Sequence, residues 1–340
     1  MSTNAPPPTL PQGVEIIGVG SALPDRVLTN TDLEKVMDTS DEWIVQRTGI
    51  RERRVHDPET GPNTTELATT ALRRALDHAG IPATDLDLIV VATMTPDMPT
   101  PSVSCMVADN VGAGQIGAFD LNAACSGFVY ALNTAHDLVR AGSHRAVAVI
   151  GADTVTRFIE YSTFGRGAAI LFGDAAGACV IRATDNPNKG LLAQAMHSDA
   201  SRAKHLFIPC TPRQFFESEF DERKLNRVQM NGQAVFKFAV STFPKLIEQT
   251  LDMAGVQASD VTHYICHQSN ARILTAARDR FGLKDEQFHI NIDRCGNTVS
   301  ASVPLILDEL TRAGRVEEGQ KIMMLGFGAG LTWGSSLWQL

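Results

Sequence analysis

"ALDHAGIPATDLDLIVVATMTP", residues 75–96, is followed 175 residues later by the similar stretch "TLDMAGVQASDVTHYICHQSN", residues 250–270. Each copy reads as the end of a helix, a glycine that stops it, a short polar loop and a buried strand. Six residues of the first copy recur in the second: Leu76, Asp77, Ala79, Gly80, Ala83 and Asp85. A match of this length at one offset indicates that an α/β unit occurs twice in the chain.

Two further pairs of segments extend this repeat. "RAVAVIGADT" (145–154) matches "QKIMMLGFGA" (320–329) at the same offset. "FDLNAACSGF" (119–128) aligns with "NIDRCGNTVS" (291–300) at an offset near 172, which places Cys125 opposite Asn297. We therefore predict an N-terminal half at 14–185 and a C-terminal half at 186–340, after a Pro-rich disordered lead-in at 1–13. The weakly periodic stretch 198–232 is predicted to run over the surface, as a lid for example.

The pattern of strands and helices predicts the fold class and the position of a site. Apolar strands such as "LDLIVVAT" alternate with helices such as "NTTELATTALRRALDHAG", which is typical of an α/β fold. We expect each half to contain a largely parallel sheet that is covered on both faces. Ligands bind beyond the carboxyl ends of the strands in such sheets. Cys125, His267 and Asn297 follow predicted strand ends, so the duplication predicts that they converge near a pseudo-twofold axis.

The amino-acid composition disfavours several classes of protein. The formal net charge is −8, with 30 Lys and Arg against 38 Asp and Glu, which disfavours nucleic-acid binding. No run approaches the roughly 18 apolar residues that a membrane helix needs, so we expect a cytoplasmic protein with no membrane partner. The six cysteines form no CxxC pair and no metal-like spacing with histidine, which predicts neither a metal site nor disulfides.

Cys125 lies where a strand pattern ends and a helical pattern begins, in "NAACSGFVYALNTA". A thiol at a helix N-terminus is close to the positive end of the helix dipole, which favours the nucleophilic thiolate. The small residues around it leave space for a bulky acyl group. Taken alone, this segment is also compatible with a buried structural cysteine.

His267 ends the apolar strand "HYIC", and Asn297 lies in the turn "GNTVSAS". Each of them alone fits a structural role, and their predicted convergence with Cys125 is what favours a catalytic one. The same residue types occur in cysteine hydrolases, where histidine is the general base. A neutral histidine and an asparagine can also donate hydrogen bonds to a developing enolate oxygen, which suits carbon–carbon bond formation after decarboxylation.

The chain resembles the β-ketoacyl-[acyl-carrier-protein] synthase III family of the thiolase-like superfamily over essentially its whole length after the first dozen residues. Six motifs carry the resemblance, in the order of the family: "TNTDLEKVMDTSDEWIVQRTGIRERR", "NAACSGF", "GRGAAILFGDAAGA", "HQSNARI", "GNTVSAS" and "GFGAGLTWGS". The resemblance implies a five-layer αβαβα fold built from two duplicated halves, and a homodimer.

The resemblance also implies roles for the residues that match the family's motifs. Cys125 matches the acylated nucleophile, and His267 with Asn297 matches the decarboxylation pair. Phe327 matches the phenylalanine that shapes the malonyl site, and the amides of Ala329 and Cys125 match the oxyanion hole.

Further matches concern the binding of substrates. Trp43, Arg47 and Arg166 match residues that hold the coenzyme A adenine, and Asn270 matches a pantetheine contact. Arg272 matches the arginine on which the carrier protein docks, and we place Lys237 on the same surface. Thr100 falls where members restricted to short primers often carry phenylalanine, so a longer primer is expected to fit the acyl pocket.

The resemblance implies a condensing enzyme that starts fatty acid synthesis. An acyl-coenzyme A primer acylates Cys125, and decarboxylative condensation with malonyl-[acyl-carrier protein] gives a β-ketoacyl-carrier protein. No metal or redox cofactor is expected. A specialised ketosynthase or acyltransferase of secondary metabolism, a cysteine hydrolase and a non-catalytic partner protein are the alternatives.

Overall fold

The computed structural model describes residues 10–214, 216 and 221–340. Most of the predicted lead-in, residues 1–9, lies outside the described residues, and the first strand begins at Gly13. The strands are β1 Gly13–Ala22, β2 Val27–Thr29, β3 Glu52–Arg54, β4 Leu88–Ala92, β5 Gly117–Leu121, β6 Ala146–Asp153, β7 Ala175–Thr184, β8 Gly190–Ser198, β9 Leu206–Phe207, β10 Gln229–Met230, β11 His263–Cys266, β12 Phe288–His289, β13 Lys321–Gly328 and β14 Thr332–Gln339. The helices are α1 Asn30–Glu34, α2 Asp41–Thr48, α3 Thr64–Ala79, α4 Val103–Val111, α5 Gly127–Arg140, α6 Arg166–Ala169, α7 Gly232–Ala254, α8 Ala271–Arg280, α9 Ile292–Cys295 and α10 Ser302–Arg312.

Two five-stranded sheets form the framework, in the orders β1-β7-β6-β4-β5 and β12-β11-β13-β14-β8. The prediction of largely parallel sheets is wrong, because each sheet has two parallel and two antiparallel pairings. Strands covered on both faces are apolar throughout whichever way they run, so the apolar pattern of β7 carried no information on its direction. The predicted division at residue 185 falls between β7 and β8.

The two sheets are related by the repeat that the sequence shows. β4 and β11 begin 175 residues apart, and β6 and β13 match at that offset over their full length. The glycines of the repeat end the helices before these strands: Gly80 follows α3 and Gly255 follows α7, both with a φ of 66°. This left-handed backbone is readily adopted by glycine, which explains why both copies keep it.

The helices and sheets stack in five layers, which confirms the expected thiolase-like αβαβα fold. α3 and α4 pack on the outer face of the first sheet, and α7 and α8 pack on the outer face of the second. Between the sheets lie α5 and α10, whose residues Phe128, Leu132, Val303 and Ile306 belong to one buried cluster with strands of both sheets. Both α5 and α10 therefore lie in the interior of the molecule.

Among the residues that the structure describes, no helix combines the length and the apolar character needed to span a bilayer.

Candidate active site

Cys125 lies in a short 3-10 turn, Ala124–Ser126, that leads directly into α5. The second half contains the same turn-helix arrangement, because the 3-10 turn Val299–Ala301 leads directly into α10. Both turns open on a residue with positive φ, 47° at Ala124 and 52° at Val299. The turns are 175 residues apart, so the structural counterpart of Cys125 is Ser300.

The predicted pairing of Cys125 with Asn297 at an offset near 172 is therefore wrong. Asn297 corresponds to Asn122, and each asparagine accepts a hydrogen bond from the backbone N–H two residues on, at 2.9 Å and 3.2 Å respectively. The error arose because α9 lies between β12 and its turn, whereas only two residues separate β5 from Ala124. No single offset fits both the strand and the turn.

The Cys125 side chain is buried, with 5% of the residue exposed. The end of β13 passes so close that a Cβ on Gly328 would come within 2.6 Å of the Cys125 nitrogen, so a larger residue there would collide with the nucleophile turn. The backbone amides of Cys125 and Ala329 lie next to the sulfur and favour its charged form. Two amides that converge on one point next to a sulfur form a candidate oxyanion hole.

Burial raises the pKa of the Cys125 thiol to about 12; the nearby Asp153 carboxylate raises it further, and the two amides oppose the shift. Burial therefore opposes the effect of the helix terminus, which is expected to favour a thiolate. When the sulfur attacks as a thiol, its proton must leave in the same step.

His267 follows β11 immediately, and its backbone N–H donates to the Leu325 carbonyl at 2.8 Å. The imidazole contacts the Phe327 ring edge to face, with 5.4 Å between ring centroids, and its Nδ1 lies 3.1 Å from the Ser302 hydroxyl. Burial lowers the pKa of His267 to about 3. The ring is consequently neutral at physiological pH and carries a single N–H.

Asn297 is fixed by the backbone on both sides. Its N–H donates to the Leu171 carbonyl at 2.8 Å, and its carbonyl accepts from the Gly173 amide at 3.0 Å. Its side-chain oxygen accepts from the Val299 amide, which leaves the NH₂ group as the part of the carboxamide that can donate into the cavity. The sequence therefore provides two neutral side chains, those of His267 and Asn297, near one thiol.

Cys125, His267 and Asn297 line the same cavity, of about 530 Å³, so the structure brings the three predicted residues together. A second cavity, of about 740 Å³, also reaches Cys125. Phe172 and Leu206 border both cavities. The thiol thus lies at the junction of two cavities. We call the first the arm cavity and the second the acyl cavity.

The mouth of the arm cavity carries a stack of aromatic and cationic groups. The Arg47 guanidinium lies 4.6 Å from the Trp43 ring centroid, and the Arg166 guanidinium lies 4.9 Å from it. Trp43 and Arg47 line the cavity directly. An aromatic ring with two guanidinium groups next to it offers stacking surface and positive charge for an adenine nucleotide.

The other predicted binding residues lie on or near this mouth. Asn270 lines the arm cavity, while its carboxamide donates to the Arg47 carbonyl and accepts from the Arg272 amide. Arg272 also lines the cavity and lies 5.6 Å from the Phe236 ring centroid. Lys237 is exposed on α7.

Thr100 is exposed and is not among the residues of this chain that line the acyl cavity. Its place at the end of the acyl pocket stays a prediction. The cavity wall includes earlier residues of the same loop, Met94, Pro96, Met98 and Pro99.

Sequence reasoning missed several residues of the two cavities. Leu206 and Met230 line the arm cavity, and Leu206, Phe207, Ile208 and Val228 line the acyl cavity. All belong to the stretch predicted as a surface excursion, whose weak periodicity gave no sign of an inward face. Phe172 lies within a motif quoted above, "GRGAAILFGDAAGA", and that was the only available signal.

Comparisons with known proteins agree with this geometry. The family 3-oxoacyl-[acyl-carrier-protein (ACP)] synthase III matches residues 119–200, and the C-terminal domain of the same family matches residues 251–340. A β-ketoacyl-[acyl-carrier-protein] synthase III of Caldanaerobacter subterraneus subsp. tengcongensis is 44% identical over 95% of this chain and 96% of its own length.

Solved structures show the same similarity. A β-ketoacyl-[acyl carrier protein] synthase III from Thermus thermophilus superposes with a TM-score of 0.89 at 38% identity, over 96% of this chain and 99% of that one. The priming β-ketosynthase of the R1128 polyketide biosynthetic pathway has a TM-score of 0.88 at 35% identity, over 99% and 98% of the two chains. With its duplicated fold, its thiol between two cavities and these relatives, the chain belongs to the β-ketoacyl-[acyl-carrier-protein] synthase III family.

Proposed function

We propose that this protein is a condensing enzyme that transfers an acyl group from acyl-coenzyme A to Cys125 and then condenses it with malonyl-[acyl-carrier protein]. The observation that carries the proposal is the junction at Cys125. One cavity, with a nucleotide-type stack at its mouth, supports delivery of a thioester arm, and the other supports storage of the acyl chain. A reaction with two successive thioester substrates needs both cavities, because the acyl chain must be held in one while the second thioester enters through the other.

In the first half-reaction, the Cys125 sulfur attacks the thioester carbon of the primer. The bond to the coenzyme A sulfur breaks, and the proton of the Cys125 thiol ends on that sulfur. The amides of Cys125 and Ala329 stabilise the oxyanion that forms in between. The acyl chain then lies in the acyl cavity, among Met94, Phe158 and Val228.

In the second half-reaction, the malonyl thioester enters through the arm cavity, where Phe327 borders the malonyl group. Its carboxyl group leaves as carbon dioxide, and the electron pair moves to the thioester oxygen as an enolate. His267 and Asn297 donate hydrogen bonds to that oxygen. The enolate carbon attacks the acyl carbonyl, the tetrahedral intermediate collapses, and the Cys125 sulfur leaves as a thiolate that takes up a proton from water. Loss of carbon dioxide drives the reaction, so we propose that it needs no resident metal or cofactor.

We propose that a carrier protein docks on Arg272 and Lys237, at the surface around the mouth of the arm cavity. We also propose a homodimer, because β5 lies at the edge of its sheet and, among the described residues, pairs with β4 alone. Phe119 on this strand is 38% exposed, and Met98, which lines the acyl cavity, is 42% exposed. An open strand edge with apolar side chains is suited to pairing with a second copy.

The six free cysteines support a reducing compartment such as the cytoplasm.

A second candidate function is priming of a polyketide pathway. The similarity to the R1128 priming β-ketosynthase favours it, and the proposed chemistry at Cys125 would be the same. The purified protein should be incubated with acyl-coenzyme A and malonyl-carrier protein, and the products identified by mass. We expect a β-ketoacyl-carrier protein; release of free acid would instead indicate a hydrolase.

Primer length can be predicted from the acyl cavity. Because this cavity holds about 740 Å³ and its wall is largely apolar, we expect octanoyl-coenzyme A to be used at least as well as acetyl-coenzyme A. Turnover with acetyl-, butyryl- and octanoyl-coenzyme A measures this preference. Use of acetyl-coenzyme A alone would contradict the prediction about the cavity but not the condensation itself.

Replacing Trp43 by alanine is expected to raise KM for acyl-coenzyme A about tenfold with little change in kcat, since stacking on a nucleobase contributes roughly 1–3 kcal/mol. Steady-state kinetics of primer use would measure it. An acyl-pantetheine thioester, which lacks the nucleotide, is the matched control and should be unaffected. An equal rise in KM for both thioesters would show that Trp43 supports the fold of the mouth and does not bind the nucleotide.

A further inference from the structure

The Ser302 hydroxyl lies behind His267, on the side away from the arm cavity. Ser302 is the first residue of α10 and is completely buried. Its oxygen lies 3.1 Å from three atoms: Nδ1 of His267, Oγ1 of Thr298 and the carbonyl oxygen of Val299. A hydroxyl has one proton and two lone pairs, so it can donate to only one of these three.

The direction of this hydroxyl proton matters because His267 is neutral. A neutral imidazole carries its proton on one nitrogen and has a lone pair on the other. Nδ1 is the nitrogen that Ser302 contacts, which leaves Nε2 for the cavity that His267 lines. Only the tautomer with the proton on Nε2 can donate a hydrogen bond to the enolate oxygen.

The Val299 carbonyl competes with Nδ1 for the Ser302 proton, because it lies 3.1 Å from the Ser302 hydroxyl and can only accept. If Ser302 donated to that carbonyl, Nδ1 would carry the imidazole proton and donate to the Ser302 oxygen, and Nε2 would face the enolate oxygen with a lone pair. The Thr298 hydroxyl can donate to the Ser302 oxygen, so the Ser302 proton is not needed there and can go to Nδ1.

We propose that Ser302 is a positioning residue whose hydroxyl donates to Nδ1 of His267 and so keeps the imidazole proton on Nε2, where it serves decarboxylation. The inference rests on the proposed function of His267. It assigns to Ser302 a role in the second half-reaction alone, because the first uses the Cys125 thiol and the backbone amides. A serine at the start of a helix otherwise reads as an ordinary structural residue.

The test combines Ser302→Ala with Thr250→Val as the matched control. Thr250 is also completely buried, and its hydroxyl bonds the Leu246 carbonyl at 2.6 Å and the Ser335 hydroxyl at 2.7 Å. Both variants lose one buried hydroxyl, but only one of these hydroxyls touches His267. Acylation of Cys125 by acyl-coenzyme A and condensation with malonyl-carrier protein are measured separately, and ¹⁵N NMR of histidine-labelled protein reports the tautomer.

We expect Ser302→Ala to slow condensation about 10–100-fold while acylation changes less than about twofold, as for other residues that orient a functional histidine. Its His267 signals should shift toward the Nδ1–H tautomer, and Thr250→Val should match wild type in both half-reactions. Condensation at the wild-type rate, an unchanged tautomer, or an equal loss of both half-reactions would each overturn the proposal.

The wild-type NMR spectrum tests the proposal even if Ser302→Ala does not fold, because it shows which nitrogen of His267 carries the proton. An Nε2–H tautomer supports the proposal, and an Nδ1–H tautomer contradicts it. The proposed function is judged separately. It fails if wild-type protein forms no acyl adduct or no β-ketoacyl product, whatever the state of His267.

Discussion

Replacing Asn297 by alanine is expected to slow condensation about 100–1000-fold, the usual cost of losing one donor to a developing oxyanion. The backbone of Asn297 is held by Leu171 and Gly173, and its side-chain oxygen by the Val299 amide, so its NH₂ group has a fixed position. The enolate would lose one of its two donors. Release of carbon dioxide from malonyl-carrier protein and formation of β-ketoacyl product measure the effect, while acylation of Cys125 should persist.

Asn133→Ala is the matched control for this variant. Asn133 is also buried and donates to the Ser335 carbonyl at 3.0 Å, and it lines neither cavity. It loses a buried carboxamide without touching the site, so it should condense at close to the wild-type rate. If both variants lost activity equally, or if Asn297→Ala condensed normally, Asn297 would not be the enolate donor.

Replacing Cys125 by alanine is expected to abolish acylation and to lower condensation by at least about 10³-fold, because no other group can hold the acyl chain between the two half-reactions. Decarboxylation of malonyl-carrier protein should continue, since His267 and Asn297 remain. Scintillation counting of a labelled acyl group on the protein, alongside carbon dioxide release, measures both effects.

Cys179→Ala provides the comparison for Cys125. Cys179 is a fully buried thiol on β7 that lines neither cavity. This variant should be acylated like wild type, with at most a loss of stability from the small cavity it creates. Normal condensation by Cys125→Ala would show that the reaction has no covalent stage on this residue.

The repeat at an offset of 175 was enough to predict the duplication and the convergence of the three site residues. It was visible because β4 and β6 are separated by as many residues as β11 and β13 are. All four strands are also largely buried and apolar. It failed at Asn297, where α9 intervenes and the correct partner, Asn122, lies three residues away from the predicted one. Strand direction failed for a different reason, since a strand buried on both faces is apolar whichever way it runs.

The surroundings of the site were harder to predict than its chemistry. Whether Cys125 rests as thiol or thiolate depends on its burial and on Asp153, which lies far away in sequence at the end of β6. The wall residues Leu206 and Val228 come from a segment without clear periodicity, and Thr100 was placed from the resemblance alone. Ser302 gave no signal because its contact with His267 exists only after the two halves have folded together.

The central claim is that Cys125 holds the acyl group between the two half-reactions, and intact-protein mass followed by peptide mapping tests it most directly. With acyl-coenzyme A, we expect one adduct of the acyl mass on the peptide that contains Cys125. On addition of malonyl-carrier protein that adduct should disappear as β-ketoacyl-carrier protein forms. An absent adduct, an adduct on the exposed Cys105 or Cys210, or loss of the adduct as free acid would contradict the account.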